Sequence, residues 1–258
     1  MQKYFFVLFA LIISFSGFAQ KSKKLKKEEK RKQINQMIKQ EEEGVIAYKK
    51  HTVFGGKLTS DGYGVFMELG RAKSVNKAML YQLEISERKS AKEEKQSNLF
   101  NYSTPFVFGK QNFFYPIKLG AQQQILFGNK SNKNGVSITG NYGGGISVGL
   151  LRPYYVQLGG TGKFVKYDSP DSANFLTPAA ISAGPGFSRG WSDITVKPGI
   201  YAKTSLRFDY GSYNELVSAI EVGISAEYYA SKIPIMVHTT ARQLFFTGYV
   251  AVLFGRRK

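Results

Sequence analysis

The sequence contains no cysteine and only two histidines, His51 and His238. Disulfide bonds and thiolate metal sites are therefore excluded, and a zinc site has little material to draw on. Acidic residues are also scarce: 18 Asp and Glu stand against 36 Lys and Arg, a formal net charge of +18. This excess favours anionic partners such as lipid phosphate or an anionic glycan.

Long apolar runs are absent except at the N-terminus. There, Lys3 precedes an apolar segment from Tyr4 to Phe15, and the small residues Gly17 and Ala19 stand at the −3 and −1 positions of a cleavage site. This pattern predicts a secretory signal peptide over residues 1–19. The alternative is an N-terminal membrane anchor, but the run is shorter than the ~20 residues that span a bilayer. Export argues against nucleic acid as the partner.

Residues 20–44, QKSKKLKKEEKRKQINQMIKQEEEG, are charged and carry few apolar side chains. We expect a short basic periplasmic tether here, helical or disordered, which ends at Gly44. Two interpretations stay open for it. The tether is either a solvated N-terminal extension or a basic arm that touches lipid headgroups or a partner protein.

From Val45 onward, apolar and polar residues alternate between breaks rich in Gly, Asn and Asp. This period of two predicts strands. The eight predicted strands cover residues 45–58, 62–71, 78–88, 112–127, 136–158, 194–208, 215–229 and 242–256. Most exceed the ~5–6 residues usual in a soluble β-sandwich, which is the alternative fold. They are long enough to cross an outer membrane at a tilt.

The connections between these strands alternate in length. Those after the third, fifth and seventh strands are long, whereas those after the second, fourth and sixth are short; the short first hairpin, TSDG, is the exception. Short periplasmic turns opposite long extracellular loops are typical of bacterial outer-membrane barrels. We therefore predict an all-β fold for residues 45–258, an eight-stranded antiparallel transmembrane β-barrel in the outer membrane.

The stretch LVSAIEVGISAEYYA (residues 216–230) carries glutamates on one parity and large apolar residues on the other. Lipid would face the apolar side and the lumen the charged side. Because eight strands enclose a lumen only wide enough for side chains, charges there must be paired. The predicted lumen ion-pair network consists of Glu68, Glu84, Arg88, Lys118, Lys203, Arg207, Glu221 and Glu227. Pairing outward from the turn DYGSYN places Arg207 near Val217 and Lys203 near Glu221.

Three segments carry a family resemblance: Gln20 after Ala19, VKPGIYAKTSLRFDYG followed by IEVGISAEYY, and the closing FFTGYVAVLFGRRK. With these, residues 45–258 resemble small outer-membrane β-barrel proteins of the OmpA/OmpX-like group, of the type common in Bacteroidetes. Unlike the proteobacterial pattern, the chain does not end on an aromatic residue. Within the family, a PorT-like subunit of a secretion or assembly machine is one specialisation that the resemblance implies.

The loop of residues 159–193 is the longest, and binding residues concentrate in loops held by a rigid scaffold. Its candidate binding residues are Lys163, Lys166, Tyr167 and Trp191. We expect a non-enzymatic protein with a plugged lumen that binds a partner or ligand through its external loops. Its expected partners are membrane lipid, lipopolysaccharide and an envelope protein of the secretion or assembly machinery. The alternatives are a narrow pore and a lipid-modifying enzyme that uses His238.

Several motifs fail to reach a catalytic or cofactor site. GGTGKF at residues 159–164 has Phe164 where a phosphate loop needs Ser or Thr. No carboxylate follows His238 in the chain to orient it for catalysis. Asp168, Asp171 and Asp193 lack a recognisable calcium spacing. We therefore predict no cofactor and no metal site.

Overall fold

The computed structural model describes residues 49–74, 76–96, 104–130, 135–168, 170, 172–211 and 215–257. The predicted signal peptide and basic tether lie outside these residues. Among the described residues, no helix is long and apolar enough to cross a membrane.

Antiparallel strands make up most of the described chain. In chain order they are β1 (Lys50–Thr59), β2 (Gly62–Ser74), β3 (Lys77–Arg88), β4 (Lys95–Gln96), β5 (Phe106–Val107), β6 (Asn112–Gly128), β7 (Ser137–Pro153), β8 (Tyr155–Leu158), β9 (Phe164–Lys166), β10 (Ile181–Ala183), β11 (Thr195–Asp209), β12 (Leu216–Ile233) and β13 (Arg242–Arg257). A short helix α1 (Ser172–Phe175) and a 3₁₀ turn (Pro178–Ala180) precede β10.

Eight of these strands close into one barrel in the order β1-β2-β3-β6-β7-β11-β12-β13, and β13 pairs with β1 to complete the ring. The predicted fold class is confirmed, and each of the eight predicted strands contributes one strand to the barrel. Closure leaves no unpaired strand edge, which is the condition for a sheet to lie in lipid.

One predicted strand was too long. Residues 136–158 form two strands, because β7 leaves the barrel at Pro153 and Tyr155–Leu158 pairs instead with β9 and β10 in a small separate sheet. Proline lacks the N–H that a continuing ladder needs.

The outer surface of the barrel is a belt of exposed apolar side chains. On β12 it consists of Leu216, Ile220, Val222, Ile224 and Tyr228, whereas Val217, Ala219, Glu221, Ser225 and Glu227 are buried on the inside. The same alternation runs through the other barrel strands. A closed antiparallel barrel with an apolar exterior and a charged interior is the structure of an outer-membrane β-barrel.

The register of β11 against β12 differs from the predicted one. Arg207 lies opposite Glu221 and Lys203 opposite Ser225, a shift of four residues from the expected pairing. The last pair of this hairpin is Asp209 with Ala219, so strand pairing stops well before the turn. The prediction assumed a tight turn within DYGSYN.

Two glycines on the inner face of β7 allow close approach to β6. A Cβ at Gly143 would lie 2.3 Å from the carbonyl oxygen of Ala121, and one at Gly145 would lie 2.2 Å from that of Leu119. Larger residues would push the strands apart. The inner surface is therefore flat here, and the side chains of Tyr201 and Lys203 project from β11 directly opposite these glycines.

The lipid-facing assignment predicts a depth-dependent cost. Val222→Arg and Ile224→Arg, near the centre of β12, should each lower the free energy of unfolding by about 2–4 kcal/mol, because the guanidinium would enter hydrocarbon. Ala230→Arg is the control: it changes the same face near the extracellular end, where the cost is about 0–1 kcal/mol. Urea titration in lipid vesicles measures all three. Equal costs at all three positions would contradict the assignment.

Candidate functional site

Three cations and three carboxylates alternate in a chain through the interior, here called the first ion-pair chain. Glu84 binds the ammonium groups of Lys57 at 2.9 Å and Lys118 at 3.0 Å. Lys118 continues to Glu227 at 2.6 Å, and Glu227 continues to Arg88 at 2.8 Å. Arg88 ends the chain on Asp61, at 2.6 Å. Each carboxylate therefore lies between cations or at the end of the chain.

A second cluster is centred on Arg207. Its guanidinium donates two hydrogen bonds to Glu68, at 2.8 and 2.7 Å, and another to Glu221 at 2.7 Å. Lys203 lies 3.6 Å from Glu221, and His51 lies 3.1 Å from Glu68. This second cluster therefore brings together two basic side chains, Arg207 and Lys203, two carboxylates and the His51 imidazole. Bidentate guanidinium–carboxylate pairing fixes the geometry as well as the charge.

Tyr249 joins the two sets of charges. Its hydroxyl donates to Glu221 at 2.8 Å, while the Lys57 ammonium lies 4.0 Å from the centre of its ring. Lys203 also donates to the Gln82 side chain at 2.6 Å. Glu68 and Glu227 are wholly buried, and Glu221 is 1% exposed. Burial of this depth is tolerable for a carboxylate only when it is paired and hydrogen-bonded.

Apolar side chains fill the interior beside these charges. Val53, Phe66, Val217, Ala219, Tyr249, Ala251 and Leu253 form one buried cluster on β1, β2, β12 and β13. Towards the long loops, Phe114 and Tyr229 pack with Leu151 and Ile233. The Arg88 guanidinium lies 4.7 Å from the Phe245 ring centre, at the border between this aromatic group and the first ion-pair chain. Charged and apolar side chains together occupy the lumen.

All eight residues of the predicted lumen network lie inside the barrel and are buried. Sequence reasoning missed Lys57, Asp61, His51, Gln82 and Tyr249. Lys57 and His51 share the inner parity of β1, but Val53 and Gly55 stand between them and mask the polar pattern. Asp61 lies in the first hairpin turn, where a polar residue gives no sign of an interior role.

The long loops fold together into a compact unit, here called the loop platform. Its apolar core consists of Phe106, Val107, Tyr154, Val156, Leu158, Val165, Phe175, Ile181 and Met236, from three different connections. Backbone hydrogen bonds interlock these connections: Gln111 N–H donates to Ile235, Val237 N–H to Gly109, and Gly184 N–H to Thr104. Ile235 packs against both this core and the aromatic group inside the barrel.

Arg152 anchors the loop platform to the barrel wall. Its guanidinium lies 4.0 Å from the Phe113 ring centre and 4.8 Å from that of Trp191, and it donates to the Phe187 carbonyl at 2.6 Å. Arg152 is 2% exposed. Phe113 and Arg152 belong to β6 and β7, whereas Phe187 and Trp191 come from the loop before β11. Cation–π contacts of a desolvated guanidinium contribute about 2 kcal/mol.

The four predicted loop residues have different surroundings. Lys163 is exposed, and Trp191 is 40% exposed with its indole N–H bound to the Phe187 carbonyl. Lys166 pairs with Asp193 at 3.2 Å. Tyr167 packs against the apolar core of the platform and contacts the Phe175 ring. Sequence reasoning treated Tyr167 as a surface residue because a loop sequence gives no sign of a core of its own.

Hydrogen bonding and burial change acidity within the loop platform. Hydrogen bonds from Tyr155 and Lys166 lower the pKa of the exposed Asp193 carboxyl, and the bond to Asp193 raises the pKa of Lys166. Burial raises the pKa of Tyr154 to about 12. Its hydroxyl accepts a hydrogen bond from the Val107 N–H at 2.8 Å. These groups keep their ordinary charge near neutral pH, and Tyr154 acts as a structural link.

His238 lies exposed in the connection between β12 and β13, where its ring contacts Phe108. Within the described residues, no carboxylate forms a hydrogen bond or ion pair with His238. The described residues also contain no group of three or more His, Cys, Asp or Glu side chains that could hold a metal ion. Of the three loop aspartates considered for calcium, Asp171 falls outside the described residues, and Asp193 is engaged by Lys166 and Tyr155.

No protein-family model and no curated protein matches the chain. Solved structures match at low similarity. Neisserial surface protein A is 11% identical, covers 81% of this chain and 96% of its own, and has a TM-score of 0.38. The attachment invasion locus protein of Yersinia pestis is 8% identical. The match covers 82% of this chain and 100% of that protein's chain, with a TM-score of 0.36. The N-terminal β-barrel domain of Pseudomonas aeruginosa OprF is 9% identical. The match covers 81% of this chain and 98% of that domain, with a TM-score of 0.36. Likeness at this level carries no conclusion about function.

Proposed function

We propose that this protein is a non-enzymatic outer-membrane barrel with a closed lumen, which presents its loop platform to a partner in the cell envelope. The observation that carries the proposal is the filled interior. Five cations and five carboxylates cross the lumen in paired contact, beside buried apolar clusters. A lumen filled in this way supports the barrel structurally. We therefore place the binding function on the outer surface of the protein.

The loop platform is the surface that we propose for binding the partner. Its core fixes the backbone, while Phe187 stays 79% exposed and Trp191 40% exposed on its surface. Arg189 lies over the Phe164 ring, with its guanidinium carbon 3.7 Å from the ring centre, and Lys163 is exposed nearby in sequence. Exposed aromatic and arginine side chains on a rigid support are the residues that dominate protein interfaces. The partner that fits them has an anionic, partly apolar surface.

Two rival functions receive less support. A pore needs a continuous polar path, whereas the charges described in the interior are ion-paired and lie beside buried apolar clusters. A lipid-modifying enzyme centred on His238 needs an acid to orient the histidine and a nucleophile beside it. Within the described residues no acid forms a hydrogen bond or ion pair with His238, although Thr239 and Thr240 follow it directly in the chain. The PorT-like resemblance implies a subunit of a secretion or assembly machine. We therefore propose that the partner is another protein of such a machine.

A closed lumen predicts very low conductance. Purified protein inserted into planar bilayers should give no steady single-channel current above the bilayer background, because paired buried charges block ion passage. A barrel of known conductance inserted in the same bilayers serves as the positive control. Stable channels of uniform conductance would contradict the closed lumen and favour the pore.

The second cluster predicts a selective rescue. Glu221→Gln leaves the cluster with one excess buried cation, so the free energy of unfolding should fall by about 3–5 kcal/mol if the lumen is dry. Adding Lys203→Met should recover part of this loss. Adding Arg207→Met should not, because Glu68 would then lose its bidentate partner. Thermal unfolding in detergent, followed by circular dichroism, compares the three variants.

An opposite ranking of the two double variants would show that Arg207 is not the charge that Glu68 depends on. If Glu221→Gln keeps full stability but loses a cellular phenotype, Glu221 is needed for the activity of the protein rather than for filling the lumen.

The loop platform predicts site-dependent crosslinking. A photocrosslinking residue at Phe187 or Trp191 should yield one discrete protein adduct in intact envelopes, whereas the same residue at Lys89, outside the platform core, should not. The adduct should weaken when Arg189→Glu and Lys163→Glu reverse the local charge. Equal labelling at Lys89, or labelling of lipid alone, would contradict a partner at this surface.

A further inference from the structure

Among the described residues, the exposed basic side chains at the periplasmic end of the barrel lie on one side. We call Lys50, Arg71, Lys73, Lys77 and Arg256 the basic half-ring; they lie on the adjacent strands β13, β1, β2 and β3. Lys50 pairs in register with Arg71, and Arg256 pairs with Thr52. Four neighbouring strands span about 14 Å at the usual spacing. Five positive charges are therefore concentrated along a short arc.

These side chains continue the lipid-facing parity of their strands. Phe254 and Leu69 are exposed in the apolar belt, and Arg256 and Arg71 are the next residues on the same face. The strands therefore leave the hydrocarbon at this point. Long basic side chains at such a position extend their charged ends towards the lipid headgroups.

The charges of the half-ring are almost unneutralised. Among the described residues, Lys50, Arg71, Lys73 and Lys77 form no ion pair, and Arg256 has only Glu215, at 3.6 Å with both side chains largely exposed. An exposed pair of this kind contributes little. The half-ring is therefore a positively charged surface that favours the binding of an anion that does not belong to the barrel.

The other half of the same rim differs. At the periplasmic ends of β6, β7, β11 and β12, none of the exposed described residues is basic; they include Phe127, Val136, Tyr210 and Leu216, the polar Asn129 and the acidic Glu215. The one lysine described there, Lys130, is buried against Asp209. The exposed basic side chains that the structure describes at this rim are thus concentrated on β13, β1, β2 and β3, which favours an anionic ligand on that side.

We propose that the basic half-ring binds anionic phospholipids of the periplasmic leaflet through their phosphate headgroups. A phosphate ester beside the apolar belt supplies both the negative charge and the acyl chains that this surface fits. A second copy of the chain would bring like charges together. The preceding segment, residues 20–44, is itself rich in lysine and arginine, and only its acidic residues, Glu28, Glu29 and Glu41–Glu43, could compete for the half-ring.

Tryptophan quenching by brominated lipids tests the proposal. In a Trp191→Phe background, Phe254→Trp places a reporter beside the half-ring, and Phe127→Trp places a matched reporter on the half whose exposed described residues include no lysine or arginine. In mixed vesicles, brominated phosphatidylglycerol should quench the 254 reporter about threefold or more above brominated phosphatidylcholine, since each basic residue near the surface adds attraction. The 127 reporter should show no such preference. An equal preference at both positions would overturn the proposal.

Neutralising the half-ring should abolish the preference. The test variant combines Lys50→Gln, Arg71→Gln, Lys73→Gln and Lys77→Gln. The control variant removes the same amount of charge from the extracellular side by Lys89→Gln, Lys92→Gln, Lys163→Gln and Arg189→Gln. This control should keep the preference for brominated phosphatidylglycerol. If the test variant does not fold, salt gives the answer on the unmutated half-ring: near 1 M salt, where the screening length is ~3 Å, the preference should disappear. A preference that survives neutralisation or salt would refute a headgroup site.

Deletion of residues 20–44 separates lipid from the chain's own acidic segment. If the lipid occupies the half-ring, the preference at the 254 reporter should be present in the full mature chain and remain after deletion. If the preference appears only after deletion, acidic residues of the segment 20–44 rather than lipid fill the half-ring, and the proposal fails.

Discussion

Charge buried in a narrow barrel has to be neutralised within the barrel. Closing eight strands removes every free sheet edge but leaves a lumen only as wide as the side chains that fill it. Each interior lysine or arginine therefore needs a carboxylate in direct contact, and the two ion-pair groups meet this requirement. Removing one partner is costly, because the remaining charge cannot reach bulk water. This pairing holds opposite walls of the barrel together.

The filled lumen also determines where function can lie. Arg88 contacts Asp61 and Glu227 below the aromatic group, and Ile235 joins that group to the core of the loop platform. The interior packing thus continues into the loops rather than ending at an open mouth. A partner that bound loops already packed in this way, as we propose, would incur little cost of ordering them.

Alternation in the sequence was enough to predict the eight strands and the direction of their side chains, because a strand has only two faces. It placed Glu221 and Arg207 inside but not opposite each other. Register depends on where pairing stops at a turn, and Asp209 with Ala219 ends this hairpin earlier than the turn residues suggest. The loop platform was not predicted, since its core joins Phe106, Phe175 and Met236 from three distant segments. No local pattern records such contacts.

The two outer surfaces proposed as binding sites use separate parts of the barrel. Arg152 and Phe113 fix the loop platform to β6 and β7 at the extracellular end, whereas the basic half-ring lies on β13, β1, β2 and β3 at the periplasmic end. No residue belongs to both surfaces, so a partner on the platform and phospholipid on the half-ring do not compete for contacts. Ion pairs between the two ends connect strands on opposite sides of the barrel, so the two proposed surfaces share one support. A membrane anchor for an envelope assembly needs this combination of a firm hold in lipid and a fixed surface outside it.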